Sequence, residues 1–251
     1  MKLTIIGGTG LIGSKLVTIL RGQGHEVVPA APNTGVNTLT GEGLAQALQG
    51  TSVVIDVSNS PSFEEKAVLE FFTTSTRNLL KYVAAAGVKH YVALSVVGTG
   101  RIPDSPYLRA KDAQEMLIKG GGIPYSIVHA TQFFEFVKSI ADQATEGRKV
   151  RLPHAFIQPM AADDVAKAVA RVAVAAPLNA TTEVGGPQQF HFDELIRQFL
   201  KARNDPRDVV VDPHARYYGA ELGERSLIPA NDAQVGEIRF QEWLNQPVLH
   251  R

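Results

Sequence analysis

The chain has 251 residues and no net formal charge, because 25 Lys and Arg side chains balance 25 Asp and Glu side chains. This length suits one large α/β domain with a sizeable buried core. The balanced charge argues against nucleic acid and anionic membranes as partners. There is no cysteine, which excludes disulfides, thiolate nucleophiles and cysteine-ligated metals. These properties predict a protein that acts on a small-molecule substrate.

The sequence also carries signals about its compartment. Glycines interrupt the first apolar run after Ile6, well short of the roughly 7–15 apolar residues of a secretory signal. No stretch approaches the ~20 apolar residues that span a bilayer. The absence of cysteine also fits a reducing compartment. We therefore expect a cytoplasmic protein with no membrane association.

Short β-branched runs alternate with helical patterns through the first half of the chain. The predicted strands cover residues 3–6, 26–28, 53–57, 91–94 and 125–128, and the helices between them cover about 11–23, 41–49, 64–86 and 106–120. Three of these strands are apolar almost throughout, as expected for parallel strands covered by helices on both faces. The alternation predicts an α/β fold, a Rossmann-type doubly wound parallel sheet.

The second half is less regular. Helices are predicted over residues 162–176, 192–203 and 237–244, and strands near 155–157, 182–184 and 209–211. We interpret the chain as a single dinucleotide-binding domain. It has a core of about residues 1–150 and a smaller C-terminal α/β substrate lobe of about residues 151–251.

A glycine-rich loop follows the first strand and opens the first helix. Gly7, Gly10 and Gly13 have the spacing G-x-x-G-x-x-G. In this setting the first glycine permits a tight turn, the second lets backbone amides approach a pyrophosphate, and the third lets helix and strand pack closely. The helix amino terminus favours the anion. The predicted cofactor contacts in this loop are Gly7, Thr9, Gly10, Leu11, Ile12 and Gly13.

Two other interpretations of the loop are weaker. Glycine-rich turns without a ligand are common, but the position between strand and helix favours binding. No Gly-Lys-Ser/Thr follows the glycines, so the loop is not of the kind that binds nucleoside triphosphates.

The choice between the two nicotinamide dinucleotides depends on the end of the second strand. An NAD site usually has an acid there that holds the ribose 2′-hydroxyl. This chain has none, and Asn33 and Thr34 could donate hydrogen bonds to a 2′-phosphate. The sequence therefore favours NADP(H) over NAD(H).

Three residues are candidates for catalysis. Tyr107 and Lys111 are four residues apart, which places them on one helix face. A nearby ammonium would lower the pKa of the tyrosine, so that the pair could pass a proton to a carbonyl that receives hydride. The lysine could also hold the nicotinamide ribose. Ser95 ends a strand at the ligand edge and could orient the substrate carbonyl. A surface tyrosine beside a solvated lysine, and a serine in an ordinary turn, are the alternatives.

Several segments together resemble the short-chain dehydrogenase/reductase superfamily, and more closely its atypical NmrA-like branch. They are residues 7–13, 93–98, 107–111, 123–128 and 157–166. The resemblance covers nearly the whole chain and thins after about residue 205. It implies an NAD(P)H-binding Rossmann core, a substrate pocket roofed by the C-terminal lobe, and tyrosine–lysine acid–base catalysis.

The resemblance also bears on cofactor contacts and assembly. It implies that the loop with Ser58 and Asn59 passes near the nicotinamide ribose, although such loops are also ordinary turns. A homodimer is a possible assembly, since dimers are common in the superfamily. The chain departs from the family where many members have a basic residue after the second strand and it has Pro32 and Asn33. It also has Asn37 where relatives often carry Asp near the adenine.

Residues after the fifth strand are predicted to line the substrate side. They are His129, Gln132, Phe133 and Phe134. The phenylalanines suit an apolar, aromatic or quinone-like carbonyl substrate, although core positions are the alternative for them. His129 stands where relatives often have arginine, and a structural role is its alternative. The histidines lack the spacing of a metal site, and no Gly-x-Ser-x-Gly hydrolase motif occurs.

The sequence favours an NAD(P)H-dependent reductase of a carbonyl, quinone or similar apolar acceptor. Some members of the NmrA-like branch have lost the catalytic pair and act as redox sensors that bind a regulatory protein. Some relatives with the same tyrosine–lysine pair use bound cofactor transiently as epimerases or dehydratases. Both remain alternatives, and the sequence leaves the role of residues 217–251 open.

Overall fold

The structure is a computed structural model and describes residues 1–246. Its strands, in chain order, are β1 (Lys2–Ile6), β2 (Glu26–Ala30), β3 (Val53–Asp56), β4 (His90–Val96), β5 (Tyr125–Ala130), β6 (Thr145–Glu146), β7 (Lys149–Leu152), β8 (Phe156–Ile157), β9 (Ala180–Gly185), β10 (Phe190–His191), β11 (Asp208–Val211), β12 (Arg216–Tyr217), β13 (Ala220–Glu221) and β14 (Gln234–Val235). Its helices are α1 (Leu11–Gly22), α2 (Leu44–Ala47), α3 (Glu65–Ala85), α4 (Pro106–Gly120), α5 (Val137–Gln143), α6 (Ala162–Val174), α7 (Phe192–Ala202) and α8 (Phe240–Leu244).

A seven-stranded sheet forms the centre of the molecule. Its strand order is β14-β9-β5-β4-β3-β1-β2, and every neighbouring pair is parallel. Helices cover both faces, so the sheet has apolar side chains on each side. One core lies between the sheet and α1 and α6, and a second lies between the sheet and α3 and α4. The predicted Rossmann-type α/β fold is confirmed.

The chain reverses direction across the sheet at β1. From β1 it moves to β2 on one side, and from β2 it returns to β3 on the other side of β1. Ligands of open α/β sheets bind in the crevice beyond the carboxyl ends of the strands at such a point. This topology brings the loops after β1, β3, β4 and β5 to one edge of the sheet.

Two predicted helices are shorter in the structure. The one expected over residues 41–49 begins at Leu44, because Gly41 and Gly43 take left-handed backbone angles. The one expected over 237–244 begins at Phe240. The backbone amides of Glu237 and Ile238 donate to the Asp164 carboxylate, each at 2.8 Å, and this holds the preceding segment on α6.

The second half of the chain builds a smaller lobe around its own apolar core. Its short sheets pair β7 with both β11 and β6, β10 with β8, and β12 with β13. Helices α5, α7 and α8 pack around them, with Phe134, Phe192 and Phe240 at most 1% exposed. Two strands of this half, β9 and β14, extend the main sheet instead. Within residues 1–246, no helix combines the length and apolar character needed to cross a membrane.

Candidate functional site

The glycine loop is shaped by close backbone contacts. Gly7 has a left-handed φ of 78°, and its amide donates to Ala30 O on β2 at 2.9 Å. A Cβ on Gly13 would lie 2.1 Å from Gly7 O, and one on Gly8 would lie 2.6 Å from Pro29 Cα. These glycines let α1 approach the ends of β1 and β2. The expected packing role of the third glycine is therefore visible in the structure.

The loop also leaves space where a phosphate would approach. Gly10 is exposed, and a Cβ there would meet only Gly7 O, at 3.3 Å. Gly10 is the N-cap of α1 and supplies no side chain, so the amides of Leu11, Ile12 and Gly13 lack helical acceptors. Ile12 is buried and Leu11 is 38% exposed. The loop can therefore hold a dinucleotide pyrophosphate through its backbone.

The turn after β2 approaches this loop. Thr9 Oγ1 donates to Asn33 Oδ1 at 3.1 Å, so the two predicted contact residues lie together. The Thr34 hydroxyl is used within its own turn: it accepts from the Ala31 amide and lies 2.9 Å from Ala31 O and 3.1 Å from Pro29 O. Asn33 is thus the freer of the two to meet a ribose. Among residues 1–246, no charged side chain takes part in the hydrogen bonds of this turn.

The loop after β3 connects the glycine loop to α4. A Cβ on Gly7 would lie 3.0 Å from the Ser58 backbone, so these two loops touch. The Ser58 amide and hydroxyl both donate to Asp56 Oδ1, at 3.1 and 2.6 Å. Asn59 then accepts from the Tyr107 hydroxyl at 3.3 Å. A continuous path of contacts therefore runs along the sheet edge from Gly7 to Tyr107.

Tyr107 sits among aromatic rings in the first turn of α4. Its ring centroid lies 5.5 Å from Phe63, 5.6 Å from Tyr218 and 6.1 Å from Phe72. Burial raises the pKa of Tyr107, and Tyr218 raises it further. The expectation that Lys111 lowers the pKa of this tyrosine was wrong for this arrangement, because the lysine has other partners.

Lys111 is 2% exposed and points under the sheet edge. Its Nζ donates to Leu94 O at 3.0 Å and to the Gln114 side chain, and it lies 4.4 Å from the centre of the Phe72 ring. Gln114 in turn donates to Asp56 Oδ2 at 3.1 Å. Burial lowers the pKa of Lys111 to about 8, against the opposing pull of Asp56 and Glu115. Lys111 therefore belongs to a buried chain of hydrogen bonds that runs through Gln114 to Asp56.

Ser95 and His129 meet at a second buried cluster, on the sheet face beneath α4. Glu115 Oε1 accepts from Ser95 Oγ at 2.6 Å and lies 2.7 Å from His129 Nε2. Burial alone would raise the pKa of Glu115, but His129, Ser95 and Lys119 together lower it to about 2. Ser95 and His129 are 5% and 7% exposed. The structure thus directs both side chains into an internal network and away from the proton donor expected at Tyr107.

The remaining predicted residues divide between core and cleft. Phe134 is 1% exposed and packs on Phe240 and Trp243 inside the smaller lobe, which fits its alternative as a core residue. Phe133 is partly buried and stacks on Phe136. Gln132 is 7% exposed, and within residues 1–246 neither polar atom of its amide has a hydrogen-bond partner. An unsatisfied buried amide of this kind calls for an explanation.

Sequence reasoning missed Asp56, Glu115 and Tyr218. Glu115 was detectable, since it continues the four-residue spacing from Tyr107 through Lys111 on one helix face. Asp56 was detectable as the one charged residue in an otherwise apolar strand. Tyr218 carried no signal, because it reaches Tyr107 from a part of the chain more than a hundred residues away.

Comparison with known proteins establishes the family. A family model described as NAD(P)H-binding matches residues 7–177, from the glycine loop to just beyond α6. The chain belongs to this family. The prediction of an NAD(P)H-binding family is confirmed.

Curated relatives of this NAD(P)H-binding protein include two photosystem II assembly factors named Ycf39. The one from Synechocystis is 26% identical over 149 residues, which cover 54% of this chain and 46% of the relative. The one from Cyanophora paradoxa is 25% identical over 164 residues, which cover 58% and 51%. The chain therefore spans about half the length of these two relatives.

Solved structures with the same fold include two nucleotide-sugar enzymes. The UDP-glucose 4-epimerase of Thermotoga maritima, solved with UDP-glucose, superimposes with a TM-score of 0.76 and 17% identity, covering 97% of this chain and 96% of the epimerase. The dTDP-glucose 4,6-dehydratase DesIV of Streptomyces venezuelae, solved with NAD, gives 0.73 and 16%, covering 96% and 94%. At such identities the likeness establishes the fold alone.

Proposed function

We propose that this protein is an NAD(P)H-dependent reductase of a carbonyl or quinone acceptor, with Tyr107 as the proton donor. The observation that carries this proposal is the path of contacts from Gly7 through Ser58 and Asn59 to the Tyr107 hydroxyl. Along that path a dinucleotide with its phosphates on the glycine loop would extend toward Tyr107. The chemistry that the bound cofactor supplies is a hydride for the acceptor carbon.

The residues around the acceptor would act on its oxygen. Burial raises the pKa of Tyr107, so its hydroxyl stays protonated at neutral pH but is a weaker acid than an ordinary tyrosine, and the negative charge that develops on the acceptor oxygen is what would draw its proton. Tyr107 would give that proton to the acceptor oxygen as the carbon receives hydride. Lys111 is held by Leu94 O and Gln114 and supplies a positive charge behind the Phe72 ring. It would act on the reacting atoms through its electrostatic field and not by direct contact. Neither Ser95 nor His129 takes part.

The preference for the phosphorylated cofactor rests on the turn after β2. Asn33 is exposed and its carboxamide accepts from Thr9, and no carboxylate in the part of the chain that the structure describes bonds to this turn. A 2′-phosphate would meet hydrogen-bond donors and no repelling charge. We expect NADPH to bind more tightly than NADH when nicotinamide fluorescence is titrated. If NADPH binds no more tightly than NADH, the cofactor preference is contradicted, while the proposed hydride and proton transfers are not.

Substitution of Tyr107 by Phe tests the reaction. Only one long hydrogen bond is lost, so the fold and the affinity for NADPH should be unchanged, while turnover falls about 100- to 10,000-fold. The matched control is Tyr82→Phe, which removes a hydroxyl from the neighbouring helix α3. Undiminished turnover in Tyr107→Phe would remove the proposed mechanism.

A second candidate is a dinucleotide-dependent assembly or sensor protein without turnover. It is favoured by the internal pairing of Lys111 and by the relatives named as photosystem II assembly factors. It predicts that the protein binds NADPH, reduces nothing in a broad panel of carbonyls and quinones, and retains a protein partner only in one redox state of the cofactor. Steady turnover that Tyr107→Phe abolishes would exclude it. Bound cofactor with no net oxidation during turnover would instead favour an epimerase or dehydratase.

A further inference from the structure

The hairpin of β12 and β13 carries an aromatic residue at its turn. Tyr218 and Gly219 connect the two strands, and their φ angles of 46° and 86° are both left-handed. Such two-residue turns favour Asn or Gly at the first position, and a bulky residue there strains the backbone. Strain kept at one position points to a role for its side chain.

The Tyr218 ring lies against the proposed proton donor. Its centroid is 5.6 Å from Tyr107 and 5.3 Å from Phe63, and the rings are inclined by 31° and 41°. Phe63 comes from the loop before α3 and is 44% exposed. Three rings from three distant segments therefore meet at the outer end of the contact path, and Tyr218 contacts both of the others.

The opposite side of the hairpin has unfilled space. A cavity of about 230 Å³ is lined by Tyr217, Tyr218 and Gly219 on one side and by Ile140 and Gln143 of α5 on the other. The hairpin itself has only two residues in each strand, so it has few backbone hydrogen bonds to hold it in place. The cavity leaves room beside the Tyr218 ring, whose other neighbour in the hairpin is the Tyr217 ring, 4.7 Å away between centroids.

A polar group without a partner lies beside this cluster. The buried Gln132 amide faces Tyr217 closely enough to lower the pKa of that hydroxyl, against the larger effect of burial, but outside hydrogen-bond geometry. The site thus combines an aromatic surface, the Tyr107 hydroxyl and an unused amide. Two polar groups beside flat apolar surfaces suit a planar ring with two oxygen atoms.

We propose that Tyr218 occupies the position of a planar quinone, which displaces this ring toward the cavity and stacks on Phe63 and Tyr107. This inference rests on the proposed reductase function, since it takes Tyr107 as the proton donor. One quinone oxygen would meet the Tyr107 hydroxyl and the other the Gln132 amide. Hydride transfer from NADPH to one quinone oxygen would break a nicotinamide C–H bond and form an O–H bond, Tyr107 would donate its proton to the other oxygen and recover one from water, and the products are the hydroquinone and NADP⁺.

The test is calorimetric titration of the NADPH-free full chain with menadione. If Tyr218 competes with the quinone for one position, Tyr218→Ala binds menadione about tenfold more tightly than the native chain. Tyr218→Asn, which removes the ring and tolerates the left-handed turn, does the same. Tyr218→Phe keeps the competing ring and stays within about twofold of the native dissociation constant. Phe63→Ala removes part of the receiving surface and weakens binding.

Each result decides the inference. Unchanged or weaker binding in both Tyr218→Ala and Tyr218→Asn overturns it, and so does the absence of menadione binding in every variant. Tighter binding in the ring-deleted variants, without oxidation of NADPH by menadione or any other acceptor, supports the quinone position and rejects the reductase function. If the protein reduces hexanal but no variant binds menadione, the reductase function is supported and the quinone position is rejected.

Discussion

The glycine loop and the inner face of α4 meet at the same edge of the sheet, but they present different chemical groups there. In the loop, the groups that would meet a cofactor are backbone amides, and glycines fix their position by letting chain segments touch. On α4, the groups are side chains, and most of them are already bound to one another. Lys111 is held by Leu94 O and Gln114, and Glu115 by Ser95 and His129.

The difference explains why one region could be interpreted from a short motif and the other could not. A backbone site needs only the right conformations, which a few glycines specify locally. The role of a side chain depends on its partners, and those arrive from other strands. Ser95 has the position of a catalytic serine in sequence, yet its hydroxyl faces a carboxylate twenty residues further along the chain.

The strongest test of the backbone site is Gly13→Ala. The added Cβ would lie 2.1 Å from Gly7 O and 2.7 Å from Gly8 Cα, so α1 must shift away from the loop. We expect a loss of about 3 kcal/mol in the free energy of unfolding. We also expect a dissociation constant for NADPH raised about 100-fold, measured by urea unfolding and fluorescence titration.

The matched control lies in the same helix. A Cβ on Gly22 would meet nothing within 4 Å, so Gly22→Ala should leave NADPH affinity unchanged and alter stability by less than about 1 kcal/mol. Native-like binding in Gly13→Ala would show that the loop is not held by these contacts.

The side-chain network on α4 is tested by Glu115→Gln. The folded pKa of Glu115, about 2, lies below its ordinary value of 4.5, so its stabilising effect is fully present above about pH 4.5 and is lost as pH falls toward 2. We expect the variant to lose about 2–3 kcal/mol of unfolding free energy at pH 7 and much less at pH 3.

The control for this network is Glu70→Gln, on the exposed face of α3. Both unfolding free energies are measured by urea denaturation at the two pH values. A pH-independent difference between native and Glu115→Gln protein would mean that the carboxylate charge is not what holds Ser95 and His129.

Much of the fold was predictable because it follows from local patterns. The apolar runs of β1, β3 and β5 and the periodic helices between them indicated a doubly wound parallel sheet, whose strand order only the structure supplies. The short strands of the smaller lobe and the hairpin at Tyr218 were not predictable in the same way. Two-residue strands have almost no period to detect, and their pairing depends on tertiary contacts.

Part of the candidate site was likewise predictable from local spacing, and part of it was not. Gly7, Gly10 and Gly13 were assigned from spacing, and the structure gives each a conformational or packing reason. The Tyr107–Lys111 spacing did put both residues on α4, but the lysine side chain is buried and bonds to Leu94 O and to Gln114, which in turn donates to Asp56. Helical spacing places side chains on a face and does not decide which partner each will find.

Ser95→Ala separates a catalytic from a structural serine. The variant loses a hydrogen bond to a buried carboxylate, so we expect about 1.5 kcal/mol less unfolding free energy. Turnover should stay within about threefold of the native value, because the hydroxyl does not reach Tyr107. The control is Ser139→Ala on α5, whose native hydroxyl donates to Phe136 O just before the helix, at 2.9 Å. A turnover loss of 100-fold with native stability would restore Ser95 to the reaction.

The smallest expected effect concerns the buried Lys111 ammonium. Its folded pKa of about 8 lies below the ordinary 10.5, so between these values the unfolded chain binds more protons and stability rises with pH. The slope should be roughly 1 kcal/mol per pH unit between pH 8.5 and 9.5. Above pH 10 the buried tyrosines, whose folded pKa values are raised, act in the opposite direction.

Lys111→Met is the variant that isolates this slope, and Lys81→Met, on the exposed face of α3, is its control. Urea unfolding at half-unit steps from pH 7.5 to 9.5 should show the rise in the native chain and in Lys81→Met, and its loss in Lys111→Met. A slope that persists without Lys111 would assign the titration to another group. The lysine would then keep an ordinary pKa despite its burial. That result would weaken the contrast between the glycine loop, whose backbone amides are free to meet a cofactor, and α4, whose side chains already have partners within the protein.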